Sequence, residues 1–281
     1  MKTVLIISSF VSASLVGATA SAFCLRRLGI EAIILPTTLM GRHPGWGDPG
    51  GGATQSDQLK AMWSAIDRQN IHFDAVLTGY MGDMSHVALA EKIIRSVKVS
   101  NPETIIMVDP VMGDHGALYI PQTRAEHIAQ HLVPLADIIT PNMWELSYLT
   151  GLLQPETNVR KSPIEQAYKL APHALITSVP HGDNIGAVLV ETGPQEKVTY
   201  HRVSHKHFET VPHGGGDALA ATYLAHILKG TPPVSAMEHA VASIFNIMMA
   251  ANQIDAGELP LIREQNALIE ATPLQSQSLN L

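Results

Sequence analysis

Short apolar runs recur along the chain and alternate with amphipathic stretches. The runs are VLII from residue 4, AIIL from 32, AVLT from 75, TIIMVD from 104, ADIIT from 136 and ALITS from 174. Continuous apolar runs are typical of strands buried on both faces of a parallel sheet. The stretches between them, at 56–69, 86–97, 125–132 and 144–149, are amphipathic and predict helices. The pattern predicts an α/β fold with a doubly wound, mostly parallel central sheet flanked by helices.

The second half of the chain adds a hairpin and two long helices. Residues 186–191 and 197–203 lie on either side of the turn-forming segment Thr-Gly-Pro-Gln-Glu. This arrangement predicts an antiparallel hairpin at the edge of the sheet. Helices are predicted over about 217–228 and 234–252.

The chain shows no linker and no fixed-period repeat, so we expect a single domain over residues 1–281. The glycine-rich segment 39–54 is too long for a simple connection and predicts a mobile flap. After about residue 255 the sequence predicts a helix and then a frayed tail over 272–281.

Two interpretations compete for the N-terminus. Lys2, the apolar stretch that follows it and Ala20-Ser21-Ala22 resemble a secretory signal with a cleavage site. Four serines interrupt the apolar stretch, however, and another apolar strand follows at 32–36. The sequence therefore favours a strand over 4–7, a serine-rich turn over 8–14 and a helix from about 15 to 27.

Composition narrows the class of protein. The 281 residues carry 18 basic and 25 acidic side chains, and 46% of the residues are hydrophobic. An acidic chain with no long Lys/Arg run lacks the electrostatic pattern of a nucleic-acid-binding protein. The single cysteine, Cys24, cannot form an internal disulfide and has no zinc-binding spacing around it. We expect a cytoplasmic protein, and beyond the N-terminus no stretch predicts a membrane span.

The strongest local motif is Pro-His-Gly-Gly-Gly-Asp at 212–217, which opens a predicted helix. Glycines allow backbone N–H groups to turn toward a ligand, and a helix N-terminus carries partial positive charge, so the motif suits a phosphate or a developing anion. Asp217 is either a helix N-cap or a general base beside that anion site.

Two further motifs follow predicted strands. Asp109 and Asp114 lie in Asp-Pro-Val-Met-Gly-Asp, and Asn142 and Glu145 follow the run that ends at Thr140. Polar residues at the carboxyl ends of parallel strands face the crevice where open α/β sheets bind ligands. The carboxylates could hold Mg²⁺ there. The alternatives are turn caps for the two aspartates and a capping box for Asn142 with Glu145.

The three motifs, VDPVMGD, ITPNMWEL and GGGDALAATYLA, occur in an order that resembles the vitamin-kinase branch of the ribokinase-like superfamily. The resemblance extends from about residue 3 to 252, and within it the pyridoxal kinases are the most similar group. Several of the motifs are shared with hydroxymethylpyrimidine kinases.

This resemblance implies roles for individual residues. Asp217 would be the base that activates the substrate hydroxyl, and Gly214, Gly215 and Gly216 would form the anion hole. Asp109 and Glu145 would organise Mg²⁺, directly or through water. The residues implied for ATP binding are Asp114, Tyr119, Thr140, Glu145, Thr177 and Ser178, with Tyr119 in a short lid. The residues implied for the pyridine ring are Ser9, Val16, His43 and Tyr80.

Several positions depart from the family pattern. Gly215 stands where the family usually has threonine, so a hydroxyl near the phosphates is missing. Pro44 replaces a threonine in the ring-binding segment, and Phe10 replaces a histidine. Four histidines precede the glycine loop, and we expect them, with Lys206, to add positive character near the nucleotide rather than to bind a metal: His201, His205, His207 and His213.

The activity implied is ATP-dependent phosphorylation of the 5′-hydroxymethyl group of pyridoxal or a close B6 vitamer. The implied cofactors are Mg²⁺ with ATP and a monovalent cation such as K⁺, and the implied assembly is a homodimer with no nucleic-acid or membrane partner. Two alternatives stay open. One is a hydroxymethylpyrimidine-type kinase, and the other is a vitamer-binding protein that has lost phosphoryl transfer.

Overall fold

A computed structural model describes residues 1–153 and 162–281. The strands are β1 (Thr3–Val11), β2 (Glu31–Met40), β3 (Gly52–Ala53), β4 (Ala75–Thr78), β5 (Ile105–Val108), β6 (Gly113–Asp114), β7 (Ala117–Leu118), β8 (Ile138–Ile139), β9 (His173–His181), β10 (Asn184–Thr192), β11 (Val198–Lys206) and β12 (Gln277–Ser278). The helices are α1 (Ala18–Arg27), α2 (Ser56–Asp67), α3 (Met84–Ser100), α4 (Gln122–His131), α5 (Met143–Leu149), α6 (Pro163–Gln166), α7 (Gly215–Leu228), α8 (Pro233–Gln253) and α9 (Ala267–Glu270).

The main sheet has the strand order β12-β11-β10-β9-β8-β5-β4-β1-β2-β3. Its centre is parallel, because β2, β1, β4, β5, β8 and β9 pair in the same direction. Antiparallel strands close both ends, with β10, β11 and β12 at one edge and β3 at the other. The predicted fold class and the predicted edge hairpin are both confirmed, and a separate hairpin of β6 and β7 lies beside the sheet.

Strand β1 shows why the apolar runs are continuous. Successive side chains of a strand point to opposite faces of the sheet. Val4 and Ile6 pack into the apolar layer beneath α1, α7 and α8, whereas Leu5 and Ile7 pack into the layer on the other face. Both faces of the sheet are therefore buried, and no position on β1 from 4 to 7 is left for a polar residue.

The N-terminal segment folds as a strand, a turn and a helix. Strand β1 is longer than predicted, since it continues through Ser8 and Ser9 to Val11, where the sequence indicated a turn. Ser8 and Ser9 pair with Pro36 and Thr38 across a bulge, so partners on the neighbouring strand override the weak strand preference of serine. Helix α1 begins only at Ala18.

The structure bears on the predicted flap and on the predicted tail in different ways. Within 39–54, a single 3₁₀ turn at Pro44–Trp46 and the short strand β3 interrupt the loop, and the mobility of this flap stays a prediction. The tail was expected to fray, yet Gln277 and Ser278 form β12 against β11, and the Leu279 N–H donates to the Tyr200 carbonyl at 2.9 Å. Pairing to an open sheet edge fixes a segment whose own sequence is polar.

Helix α8 corrects the expectation about membrane spans. By length and composition, with a mean hydropathy of 1.3, it could cross a bilayer. Half of the apolar window is buried inside the protein, and the helix packs against α7 and α9. A buried core helix meets the same criteria as a spanning helix, so this feature is weak support for a membrane segment.

Candidate active site

The polar residues singled out from the sequence converge on one edge of the sheet. This edge is formed by the carboxyl ends of β1, β4, β5, β8 and β9, and the N-terminus of α7 faces it. Ligands of open α/β sheets bind in the crevice outside this edge.

The glycine loop ends in an open helix N-terminus. Gly214 adopts a left-handed conformation with φ 91°, and a Cβ there would lie 2.7 Å from the Leu15 carbonyl oxygen, so only glycine fits without strain. No side chain of residues 1–153 or 162–281 caps α7. The first N–H groups of the helix are therefore available to an anion, together with the positive end of the helix dipole.

Asp217 lies in the first turn of α7 but is not its N-cap, which is Gly214. Its Oδ2 accepts a hydrogen bond of 2.8 Å from the backbone N–H of Gly17, at the start of α1. Desolvation raises the pKa of Asp217, and the hydrogen bond from Gly17 opposes that rise. The carboxylate is held in one orientation and is a stronger base than a solvated aspartate.

A second carboxylate cluster faces Asp217. Desolvation raises the pKa of Asp109 well above its usual value, and the negative charges of Glu145 and Asp217 add to the rise. The buried Thr140 hydroxyl lies beside Asp109, and its interaction with that carboxylate partly offsets the rise in pKa. Buried acidic groups that repel one another form an environment that favours a cation.

Glu145 has structural partners as well. Its Oε1 accepts hydrogen bonds from the N–H groups of Met112 at 2.8 Å and Gly113 at 3.3 Å, and its Oε2 accepts one from Asn142 at 3.0 Å. The Glu145 N–H donates in turn to the side-chain oxygen Oδ1 of Asn142, so the predicted capping box is confirmed. Because both oxygens bind backbone N–H groups, Glu145 also anchors the segment that follows β5.

The donor set suits Mg²⁺ bound mainly by water and phosphate. Among residues 1–153 and 162–281, no three His, Cys, Asp or Glu side chains converge on a single point as an all-protein metal site requires. Mg²⁺ usually takes one or two carboxylates and completes its octahedron with waters and substrate phosphates. Asp109, Glu145 and the Thr140 hydroxyl fit that pattern.

The hairpin of β6 and β7 places Asp114 and Tyr119 at the mouth of this site. Asp114 is half-exposed and accepts a hydrogen bond of 2.7 Å from the His115 N–H. Tyr119 is 56% exposed, and its N–H donates to the Met112 carbonyl. Desolvation of the hydroxyl and the charges of Glu145 and Asp109 raise the pKa of Tyr119. The phenol therefore stays neutral and lies within the field of the carboxylates.

Thr177 and Ser178 form a bulge in β9. Two residues of β9 lie between the pairs that flank Ala187 on β10, and Ser178 has the left-handed φ of 55°. A bulge bends a strand and redirects its side chains, and bulges are common beside active sites. The Thr177 N–H bonds to the Pro141 carbonyl at 2.9 Å, which joins this bulge to the segment after β8.

The residues expected to surround a ring lie on three elements. Ser9 and Val16 are buried at the end of β1 and in the following turn, and a Cβ on Gly17 would overlap the Ser9 hydroxyl. The Tyr80 N–H donates to Ser8 Oγ at 3.2 Å, and the Tyr80 side chain is partly buried. His43 lies on the flap and is half-buried.

The flap contacts the glycine loop through residues that sequence reasoning did not connect. The rings of His43 and His213 stack with centroids 4.3 Å apart, and the Trp46 indole N–H donates to Glu258 Oε1 at 3.2 Å. The histidines before the glycine loop have different surroundings, since His213 meets the flap whereas His205 lies against Phe245 of α8, with ring centroids 4.8 Å apart. No pattern in the sequence indicated that His213 would meet residues 43–46.

One of the departures from the family pattern has a structural counterpart. At Gly215, an added Cβ would lie 2.7 Å from Met248 Cε, so the methionine fills the space that a larger residue would take. Cys24 is fully buried in α1, and desolvation raises the pKa of its thiol to about 12. Cys24 therefore packs as a small apolar residue.

The fold is that of the ribokinase-like kinases. Pyridoxal kinase from Entamoeba histolytica superimposes with a TM-score of 0.89 at 25% identity, over 99% of this chain and 100% of that one. Pyridoxal kinase from Leishmania donovani in complex with ADP and pyridoxamine has the same fold, with a TM-score of 0.90 at 22% identity over the whole of both chains.

Sequence comparison gives the family. Residues 52–262, about three quarters of the chain, match the phosphomethylpyrimidine kinases, and the chain belongs to that family. Pyridoxal kinase PdxY of Corynebacterium diphtheriae is 28% identical over 269 residues, which cover 94% of this chain and 95% of that protein.

Proposed function

We propose that this protein transfers the γ-phosphoryl group of ATP to the 5′-hydroxymethyl group of pyridoxal or a close B6 vitamer. One observation carries the proposal. Asp217, which Gly17 orients, stands beside the uncapped N-terminus of α7 and opposite the carboxylates of β5 and α5. A base, an anion site and a cation-binding region thus share one crevice.

Residues of this chain can accept the proton of the alcohol and stabilise the charge that develops on the transferred phosphoryl group. Asp217 accepts the proton of the alcohol as the oxygen attacks phosphorus, and the raised pKa of its carboxyl makes it a better acceptor than a solvated aspartate. The N–H groups at Gly214, Gly215 and Gly216 face the charge that develops on the transferred group. Phosphoryl transfer needs positioning and charge neutralisation more than covalent catalysis, and this site offers both.

We assign Mg²⁺ to Asp109 and Glu145, with Glu145 acting through water because backbone N–H groups occupy its oxygens. When bound, Mg²⁺ would neutralise charge on the ATP phosphates. Residues at the strand ends and in the hairpin would contact the nucleotide: Asp114, Tyr119, Thr140, Thr177 and Ser178. We also propose K⁺ as a second cation, a homodimer as the assembly and the cytoplasm as the compartment.

The ring specificity rests on the relatives and on the pocket. The structural neighbour from Leishmania donovani is a complex with pyridoxamine, and the full-length relative from Corynebacterium diphtheriae is a pyridoxal kinase. In this chain Ser9 offers one polar contact, Val16 an apolar wall and Tyr80 an aromatic one, with His43 closing the site from the flap.

The decisive experiment measures ADP formation by the purified protein with Mg²⁺ and K⁺. Pyridoxal, pyridoxine, pyridoxamine and hydroxymethylpyrimidine are offered separately. We expect the B6 vitamers to be phosphorylated with higher kcat/KM than the pyrimidine. Equal or exclusive activity on hydroxymethylpyrimidine would assign the other ring, and tight pyridoxal binding without turnover would favour a binding protein.

Gly215 gives a prediction about rate. Replacement by threonine restores a hydroxyl beside the phosphates, and the Met248 methyl group must move to admit it. A methionine side chain adapts readily to a new neighbour, so we expect Gly215→Thr to fold. We expect its kcat to rise by up to about tenfold, because one hydrogen bond in the transition state is worth about 1 kcal/mol.

Gly215→Ala is the matched control for steady-state measurements with the preferred alcohol. It adds the same Cβ against Met248 without a hydroxyl, so we expect no gain from it. Equal changes in kcat for the two variants would contradict a role for the hydroxyl.

A further inference from the structure

His213 joins two parts of the candidate site that are far apart in sequence. Its backbone is fixed from both sides, because its N–H donates to the Gly257 carbonyl at 2.9 Å and its carbonyl accepts from the Leu259 N–H at 3.1 Å. The next residue is Gly214, whose left-handed conformation opens α7. The imidazole of His213 is therefore carried on the rigid base of the glycine loop.

The flap meets this imidazole directly. The His43 ring stacks on His213 with centroids 4.3 Å apart and planes inclined by 35°, and the Trp46 ring lies edge-on to His213 at 6.4 Å. A Cβ on Gly45 would lie 3.3 Å from His213 Nε2. The 3₁₀ turn and its cap thus place His43, Gly45 and Trp46 around the His213 side chain.

Residues 257–258, which lie beside His213, also contact the flap at Trp46. The Trp46 indole donates to Glu258, and an added Cβ on Gly257 would lie 2.7 Å from Trp46 Cζ2. Gly257 and Glu258 are the segment that pairs with His213. The contacts that hold the flap and those that fix the backbone at the start of the glycine loop therefore come from the same short segment, residues 257–259.

We propose that His213 is a positioning residue for phosphoryl transfer: its ring stacks on His43 and couples closure of the flap over the alcohol to the glycine loop that receives the phosphoryl group. The inference rests on the proposed function. It assigns His213 no contact with the reacting atoms. With the flap held down, the alcohol is confined against Asp217 and water is kept from the same site.

The test compares His213→Ala with His213→Phe. Alanine removes the stack, whereas phenylalanine keeps an aromatic ring for His43. An aromatic stack of this kind is worth about two- to tenfold in an equilibrium constant. We expect His213→Ala to raise amide hydrogen exchange of residues 41–47 and the KM for the alcohol by about that factor, with the KM for ATP unchanged. His213→Phe should restore both values.

His127→Ala is the matched control, since it removes an imidazole from another ring stack, with His131 on α4 at 5.0 Å, away from the flap. It should change neither quantity. Unchanged exchange of the flap in His213→Ala would overturn the inference, as would an equal rise in the KM for ATP, because His213 would then only support the glycine loop.

The exchange measurement needs no substrate, so the two proposals can fail separately. A wild-type protein that phosphorylates none of the alcohols would overturn the proposed function. Faster flap exchange in His213→Ala would still support the coupling between His213 and the flap, and unchanged exchange would overturn it.

Discussion

Asp217→Asn is expected to lower kcat by about 10³-fold or more while leaving ATP binding intact. A positioned general base contributes about 10²- to 10⁴-fold, and asparagine cannot accept the proton of the alcohol. Its side-chain oxygen can still accept the hydrogen bond from Gly17, so the site should keep its shape. Turnover and calorimetric binding of ATP, measured on the same preparation, separate chemistry from affinity.

The same substitution should stabilise the fold at neutral pH. Burial raises the pKa of Asp217, so the folded state holds this proton more tightly than the unfolded chain, and stability falls as pH rises through the raised pKa. Asparagine carries no charge and escapes that penalty. For a chain of this size, each 1 kcal/mol regained should raise the Tm at pH 7.5 by about 2–4 °C, a difference that should vanish below the unfolded pKa of about 3.9.

The pH profile of the wild-type protein follows from the same group. Asp217 must be ionised to accept a proton, so kcat/KM should decline on the acid side through a pKa above the usual 3.9 of aspartate.

Asp57→Asn is the control for Asp217→Asn, because the Asp57 side chain is 97% exposed on α2 and its ion pair with Lys60 contributes little. Residual turnover in Asp217→Asn above about a tenth of the wild-type rate would exclude Asp217 as the general base.

The second large effect is expected from Gly17→Ala. Gly17 has φ 58°, and a Cβ there would overlap the Ser9 hydroxyl and lie 2.7 Å from the Ser9 carbonyl oxygen. Backbone strain and overpacking should together lower the free energy of unfolding by about 2–5 kcal/mol. Because the Gly17 N–H orients Asp217, any protein that still folds should lose most of its turnover.

Gly29→Ala is the matched control for Gly17→Ala. Gly29 also has a left-handed φ, 79°, but no atom of the described part of the chain lies within 4 Å of an added Cβ. Gly29→Ala should lower the free energy of unfolding by only about 1 kcal/mol and leave kcat unchanged. Urea unfolding and steady-state turnover of both variants test the difference, and losses of equal size would show that left-handed φ alone, rather than contact with Ser9, explains the cost.

Local patterns in the sequence were sufficient for the apolar run of β1 and for the capping box. The run of apolar residues from 4 to 7 predicts burial on both faces, and the structure places its side chains in both apolar layers. Asn142 and Glu145 satisfy each other within one helical turn, so their spacing alone predicts the bonds. Patterns of this kind depend on neighbours a few residues away.

Other features required partners that no local pattern specifies. The serines at 8 and 9 extend β1 because β2 offers paired backbone groups, and the polar tail forms β12 because the edge of β11 is open. Intrinsic strand preference is weak compared with such pairing, which explains why a turn and a frayed end were predicted there.

The sequence by itself determined the α/β class, the order of the motifs and the open glycine-rich start of α7, because each depends on short-range periodicity and backbone freedom. Only the tertiary structure decided that Gly17 holds Asp217 across 200 residues of chain and that His43 stacks on His213. The order of strands in the sheet brings these segments together, and that order depends on packing of the whole domain rather than on any one stretch of it.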